Sequence, residues 1–267
     1  MLETSFERRF GGIARLYGIP ALERFRLAHV CVVGVGGVGS WAAEALARSG
    51  VGHITLIDLD DICVSNTNRQ LPALDGNYGQ MKVAALAERI RKINPECVVD
   101  NIEDFVSVDN FDETLGRGYD AIIDAIDSVK TKAAMIAWCK RRKIRLVTTG
   151  GAGGQRDPTQ IVVADLSKTI NDPLAAKVRS ILRREYGFAQ QGKKMGVECV
   201  YSTEQLVYPQ PDGSVCGQKS DQAALGLGCE GGFGASVAVT GCFGFVAAAQ
   251  VLKHLAKPVA TDCDMPI

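Results

Sequence analysis

Gly34, Gly36 and Gly39 stand as G-x-G-x-x-G inside the stretch CVVGVGGVGS, completed by Gly37 and Ser40, and Asp58 comes nineteen residues after Gly39. Glycines so spaced let a chain leave a strand in a tight turn and bring backbone N–H groups up to a phosphate. They also let the next helix pack close to the sheet. The N–H groups at the start of that helix then face an anion. Asp58, closing the next apolar run, is placed to accept hydrogen bonds from ribose hydroxyls. These residues predict a bound nucleotide. They do not choose between NAD, FAD and ATP.

The polar residues beyond Asp58 bear on that choice. The run DLDDICVSNTNRQ carries Asp60, Ser65, Asn66, Asn68 and Arg69, and Lys82 opens a later amphipathic segment. A dehydrogenase needs few cations near its cofactor beyond one partner for the pyrophosphate. A triphosphate brings several negative charges, and adenylyl transfer moves more charge onto the departing pyrophosphate. An arginine fork and a lysine point charge meet that demand. Asp127 and Ser128 come just past the fourth apolar run, at the sheet edge where ligands of such folds bind. A carboxylate there suits Mg2+ bridging phosphates.

Positioning these groups takes strands that share one direction. HVCVVG is a continuous apolar run ended by glycine, the pattern of a parallel strand buried on both faces. The spacing predicts a helix over 40–49 closed by Gly50, a strand at HITLID, and a helix over 82–93 stopped by Asn94 and Pro95. Strands at CVVDNI and YDAIIDAI flank a short helix near 109–116; a helix over 129–142 and a strand at IRLVTTG come next. This alternation predicts an α/β fold with a doubly wound, Rossmann-like, mostly parallel sheet. Beyond GGAGGQRDP come a strand at QIVVADL, a helix at DPLAAKVRSILRREYG, a strand at ECVYST and a long loop over 207–230.

The 267 residues balance thirty basic against thirty acidic side chains. A nucleic-acid partner would therefore be held by a local patch, since no global field steers it. One stripe qualifies: Lys168, Lys177, Arg179, Arg183, Arg184, Lys193 and Lys194 face only Asp172 and Glu185 within 27 residues. Lys130, Lys132 and the run KRRK at 140–143 are read as extending it. Nine cysteines occur without a CxxC pair, so no structural zinc is expected. Free thiols and an N-terminus without an apolar signal core point to the cytoplasm. The segment 231–252, GGFGASVAVTGCFGFVAAAQVL, has no charge and is long enough to span a bilayer. Its small residues favour a closely packed core helix over membrane contact.

Taken together, G-x-G-G-x-G-S at 34–40, Asp58, S-N-x-x-R-Q at 65–70, Lys82 and the pair Asp127-Ser128 resemble the adenylating superfamily of ubiquitin-activating enzymes. Its bacterial relatives activate the sulfur carriers of molybdopterin and thiamine synthesis. The resemblance implies ATP and Mg2+, with Arg69, Lys82 and Asp127 catalytic and Asp127 the metal ligand. It also implies a homodimer in which Arg9, in FERRFGG, reaches the neighbour's ATP. The chain then divides into a helical leader (1–28), an ATP-binding adenylation domain (29–165) and a C-terminal α/β extension (166–267) continuous with it.

Sulfur-carrier activators typically carry two CxxC pairs, and some a crossover cysteine, whereas residues 166–198 contain no cysteine. DLSKTINDPLAAKVRSILRREYG and VYSTE are instead similar to the branch acting on threonylcarbamoyladenosine in the anticodon loop of tRNA. That resemblance implies an ATP-dependent dehydratase that adenylates the carboxylate and closes a ring with loss of AMP. An attack within one side chain reaches effective molarities of about 10⁵ M or more, so no enzyme nucleophile is needed. It further implies tRNA as partner on the basic stripe, and a cysteine-desulfurase-associated sulfur-transfer protein as another. An activator of a ubiquitin-like sulfur-carrier protein is the alternative reading, and a nicotinamide oxidoreductase a third.

Overall fold

Strands β1 (His29–Val33), β2 (His53–Ile57), β3 (Val98–Ile102), β4 (Ala121–Asp124), β5 (Leu146–Thr149), β6 (Ile161–Asp165) and β7 (Glu198–Ser202) build one sheet. The computed structural model describes residues 5–217 and 233–258. The strand order is β3-β2-β1-β4-β5-β7-β6. Six strands run parallel and β6 pairs antiparallel with β7 at one edge. The expected doubly wound, mostly parallel sheet is present. Its central strands are rich in Val and Ile and buried on both faces, as helix-covered parallel strands must be.

Helices α3 (Gly39–Arg48), α4 (Lys82–Ile93) and α8 (Val237–Leu255) cover one face, and α5 (Phe111–Thr114), α6 (Val129–Arg141) and α7 (Pro173–Tyr186) the other. The leader forms α1 (Ser5–Tyr17) and α2 (Ile19–Leu27). Phe25 of α2 enters the core of the first face, while Phe6 and Phe10 of α1 pack on Leu22. Asp172 caps α7, accepting from the Ala175 N–H at 2.8 Å, with Pro173 in the first turn. Gly187 ends it in the left-handed conformation.

The uncharged C-terminal segment becomes a core helix. In α8, Val239, Phe243, Ala247, Ala248 and Val251 are wholly buried. Gly244 sets the approach to α3: a Cβ there would lie 2.4 Å from the Val38 carbonyl oxygen and 2.8 Å from the Ala42 nitrogen. The opposite face, with Val237 and Phe245, is exposed. By length and composition alone α8 could cross a membrane, but half of its apolar window is buried inside the protein. Gly231 and Gly232 lie outside the described residues. Of the expected loop over 207–230, the described part folds as a small hairpin of β8 (Tyr208–Pro209) and β9 (Val215–Cys216); the rest lies outside the described residues.

Candidate active site

Between β1 and β4 the strand order reverses direction through the chain, and a cleft opens at the carboxyl ends of β1, β2 and β4. Such a switch point is where open α/β sheets bind ligands. The cavity measures about 520 Å³. The glycine loop forms one wall. Its last glycine is required by contact, since a Cβ on Gly39 would sit 1.8 Å from the Gly34 carbonyl oxygen.

Asp58 locks this loop to the next strand. Its Oδ2 accepts the Val35 N–H at 2.8 Å and its Oδ1 the Asp60 N–H at 2.9 Å. A carboxylate has about four lone-pair positions, so both oxygens keep capacity for a sugar hydroxyl. Lys82, in the first turn of α4, is 5% exposed and directs Nζ to Asp60 Oδ2 at 2.7 Å, with Asp58 Oδ1 at 3.8 Å. The two carboxylates offset the cost of burying the ammonium and hold it at the cleft.

The segment after β2 turns through a short 3-10 helix, Val64–Asn66, where Asn66 Oδ1 accepts the Cys63 N–H at 3.1 Å. This turn carries Arg69 into the cleft. Its Nη1 donates to the Ser65 carbonyl oxygen at 3.1 Å and to Asn68 Oδ1 at 2.9 Å. Asp127 lies on the facing wall, exposed and without an ion pair or hydrogen bond to the described residues. Its neighbour Ser128 bonds Thr131 Oγ1 at 3.0 Å.

Gly34, Gly36, Gly37, Asp58, Asp60, Asn66, Arg69, Lys82, Asp127 and Ser128 therefore share one cleft, as their order in the sequence suggested. Gly39, Ser40, Ser65 and Asn68 do not line it; they brace it. Buried Ser40 donates from Oγ to the Gly36 carbonyl oxygen at 2.6 Å, and Asn68 Nδ2 donates to the Ala235 carbonyl oxygen at 2.7 Å. Arg9 does not line the cleft of its own chain. It lies on α1 and donates to Ser5 Oγ at 3.4 Å and to the Ile93 carbonyl oxygen at 3.3 Å.

Sequence reasoning missed two features. Gln70 is buried against the cleft, its Oε1 without a partner in the described residues. Beneath Asp127 lies a fully buried ion pair between Asp124 and Lys132, 2.8 Å long. Lys132 Nζ also donates to the Ile126 carbonyl oxygen at 2.9 Å, and Thr148 Oγ1 to Asp124 Oδ2 at 2.6 Å. Burial pushes the Asp124 carboxyl up, and Lys132 and Thr148 counter it. The pair pins the turn that presents Asp127. Lys132 therefore does not extend a basic surface, because its ammonium is needed inside. The available signal was an aspartate ending an all-apolar strand, eight residues before a lysine on the next helix.

The basic stripe divides. On α7, Arg179, Arg183 and Arg184 share a hollow of about 330 Å³ with Ser180 and with Gln190 beyond the helix, while Lys194 lines a separate depression with Lys140 and Arg141. Lys168, Lys177 and Lys193 are exposed. Burial and the nearby Arg183 hold the Arg179 guanidinium below its usual range, and Arg179 also bonds Thr169 Oγ1. The thiols of Cys97 and Cys139 are each pushed up to about 12 by burial, and those of Cys31 and Cys199 higher still. None of these four offers a thiolate nucleophile.

A cleft of backbone N–H groups, two cations and an unpaired carboxylate can hold a polyphosphate and stabilise charge moving along it. Known proteins resemble this chain in sequence and in fold. The ThiF family model matches residues 11–264. The tRNA threonylcarbamoyladenosine dehydratase of Escherichia coli (strain K12) is 57% identical over 97% of this chain and 98% of its own. A crystal structure of the E. coli dehydratase in complex with ATP superposes with a TM-score of 0.84, at 55% identity over 96% of this chain and 97% of that one. The molybdopterin-synthase adenylyltransferase of Salmonella typhimurium is more distant, 32% identical over 51% of this chain and 54% of its own. The chain thus belongs to the ThiF family, and within it groups with the tRNA threonylcarbamoyladenosine dehydratases.

Proposed function

We infer that the chain is an ATP-dependent dehydratase that adenylates the carboxylate of threonylcarbamoyladenosine in tRNA and cyclises it. The observation that carries this reading is the 57% identity running through almost the whole of both chains, not merely through a nucleotide-binding half. The sulfur-carrier reading has only the partial match in its favour.

In this reaction a substrate carboxylate oxygen attacks the α-phosphorus of ATP and pyrophosphate departs. An atom of the same side chain then attacks the acyl carbon, AMP leaves with the former carboxylate oxygen, and a proton is released. The nucleoside loses one water; ATP becomes AMP and pyrophosphate. The N–H groups of the glycine loop and the charges of Arg69 and Lys82 serve the phosphates. Lys82 needs little reorganisation, since Asp58 and Asp60 already fix it. Asp127, a carboxylate with no partner among the described residues, fits a hard cation. Mg2+ held there with ATP would neutralise phosphate charge.

Ring closure within one side chain makes an enzyme nucleophile unnecessary, and burial keeps the thiols of Cys31, Cys97, Cys139 and Cys199 protonated. Binding of tRNA is assigned to the cations of α7 and its flanks, Lys168, Lys177, Arg179, Arg183, Arg184, Lys193 and Lys194. The homodimer belongs to the proposal too: Arg9 is exposed and, among the described residues, is held by two long hydrogen bonds, which leaves it able to turn toward a second subunit. A cytoplasmic location and a sulfur-transfer partner rest on free thiols and family resemblance.

The experiment is nucleoside mass spectrometry of tRNA incubated with the full chain and ATP. The expected product is lighter by one water and appears with AMP and pyrophosphate. An unchanged nucleoside mass would overturn the reading.

A further inference from the structure

At the end of the sheet remote from the cleft, the imidazoles of His29 and His53 lie face to face, centroids 3.4 Å apart and planes 5° from parallel. They open β1 and β2 and are register partners across the parallel pair. Asp100 of β3 joins them, its Oδ2 2.8 Å from His53 Nε2. One nitrogen from each ring and a carboxylate oxygen all lie within 4.8 Å of one another. The group is only partly buried, so an ion can enter. His29 is steadied from behind by the edge of Tyr119, centroids 4.6 Å apart, and by Thr55 Oγ1, 2.8 Å from Nε2.

Two imidazoles and one carboxylate are a donor set for borderline divalent metals. Two ligands held at bonds of about 2.0–2.1 Å in a tetrahedral site stand roughly 3.4 Å apart. The candidate ligand atoms already lie within 4.8 Å of one another, so side-chain rotations are all that is asked to bring them to that spacing around one ion.

We propose that His29, His53 and Asp100 bind one divalent transition-metal ion that ties together β1, β2 and β3 at the end opposite the cleft. The site is structural, and it is independent of the dehydratase reading.

Metal-stripped full-length protein is titrated with Zn2+ by calorimetry and with Co2+ by visible absorption. One equivalent of each should bind, Zn2+ should raise Tm, and the Co2+ spectrum should lack a thiolate charge-transfer band. His53→Ala and Asp100→Asn should each weaken binding roughly tenfold or more, with ATP affinity unchanged. Asp100→Asn keeps the side-chain shape, so it serves even if His53→Ala folds poorly. No binding by the unaltered chain, a thiolate band, or unchanged affinity in Asp100→Asn would overturn the site.

Discussion

Lys82 is engaged by Asp60 and Asp58 in the free protein, whereas Asp127 across the cleft is engaged by none of the described residues. The difference separates a preset charge from a receptive one. Asp127→Ala removes no internal bond, so it should abolish turnover in ATP–pyrophosphate exchange with modified tRNA while leaving Tm unchanged. Lys132→Met should do the reverse in kind. It strands the Asp124 carboxylate in the core, at a cost of about 3–5 kcal/mol, read from urea unfolding. Lys130→Met, two residues away and exposed, should stay within about 0.5 kcal/mol of the parent. Residues of the cleft were legible because local motifs carry them. Lys130 and Lys132 look alike in DSVKTK, and only the tertiary packing of α6 on β4 distinguishes a solvated lysine from a buried one.

Most elements could be read from period and punctuation, because strands buried on both faces and helices with one apolar side leave different spacings. The pairing of β6 could not. A strand–helix–strand order normally signals a parallel crossover, yet β6 and β7 run antiparallel around α7. Asp165, at the end of β6, accepts the N–H groups of Ser167, Met195 and Gly196 at 3.0, 2.9 and 2.7 Å. It thereby ties the exit from β6 to the entry of β7, a contact between distant residues. The same limit applied to the basic stripe, of whose seven cations three share one hollow, one lines another and three are simply exposed. On α7, Arg183→Gln should weaken tRNA binding at all sequences and lower the slope of log affinity against log salt by about one. A filter-binding salt titration measures both.

For the assembled molecule, the decisive matter is whether one chain holds a complete site. Arg9 lies on α1, hydrogen-bonded to the Ile93 carbonyl oxygen at the end of α4, and does not line its own cleft. If it acts on a neighbour, subunits carrying Arg9→Ala and subunits carrying Asp127→Ala are each inactive alone. Unfolded together and refolded as a mixture, they should regain turnover, because a mixed dimer pairs an intact arginine with an intact aspartate in one of its two sites. Activity absent from the mixture would refute the shared site. Only the family resemblance of FERRFGG pointed to that role, since by its local sequence an arginine meant for a partner resembles any solvated one.

The seam of α8 against α3, closed by Gly244 and by the hydrogen bonds of Asn68 to Ala235 and Val237, joins the last described helix to the glycine-loop half of the chain through direct contacts. A protease recognition sequence inserted between 217 and 233 and then cut should give two fragments that elute together from a sizing column and part only in denaturant. The helix that follows the glycine loop is in that sense backed by the last described helix of the chain.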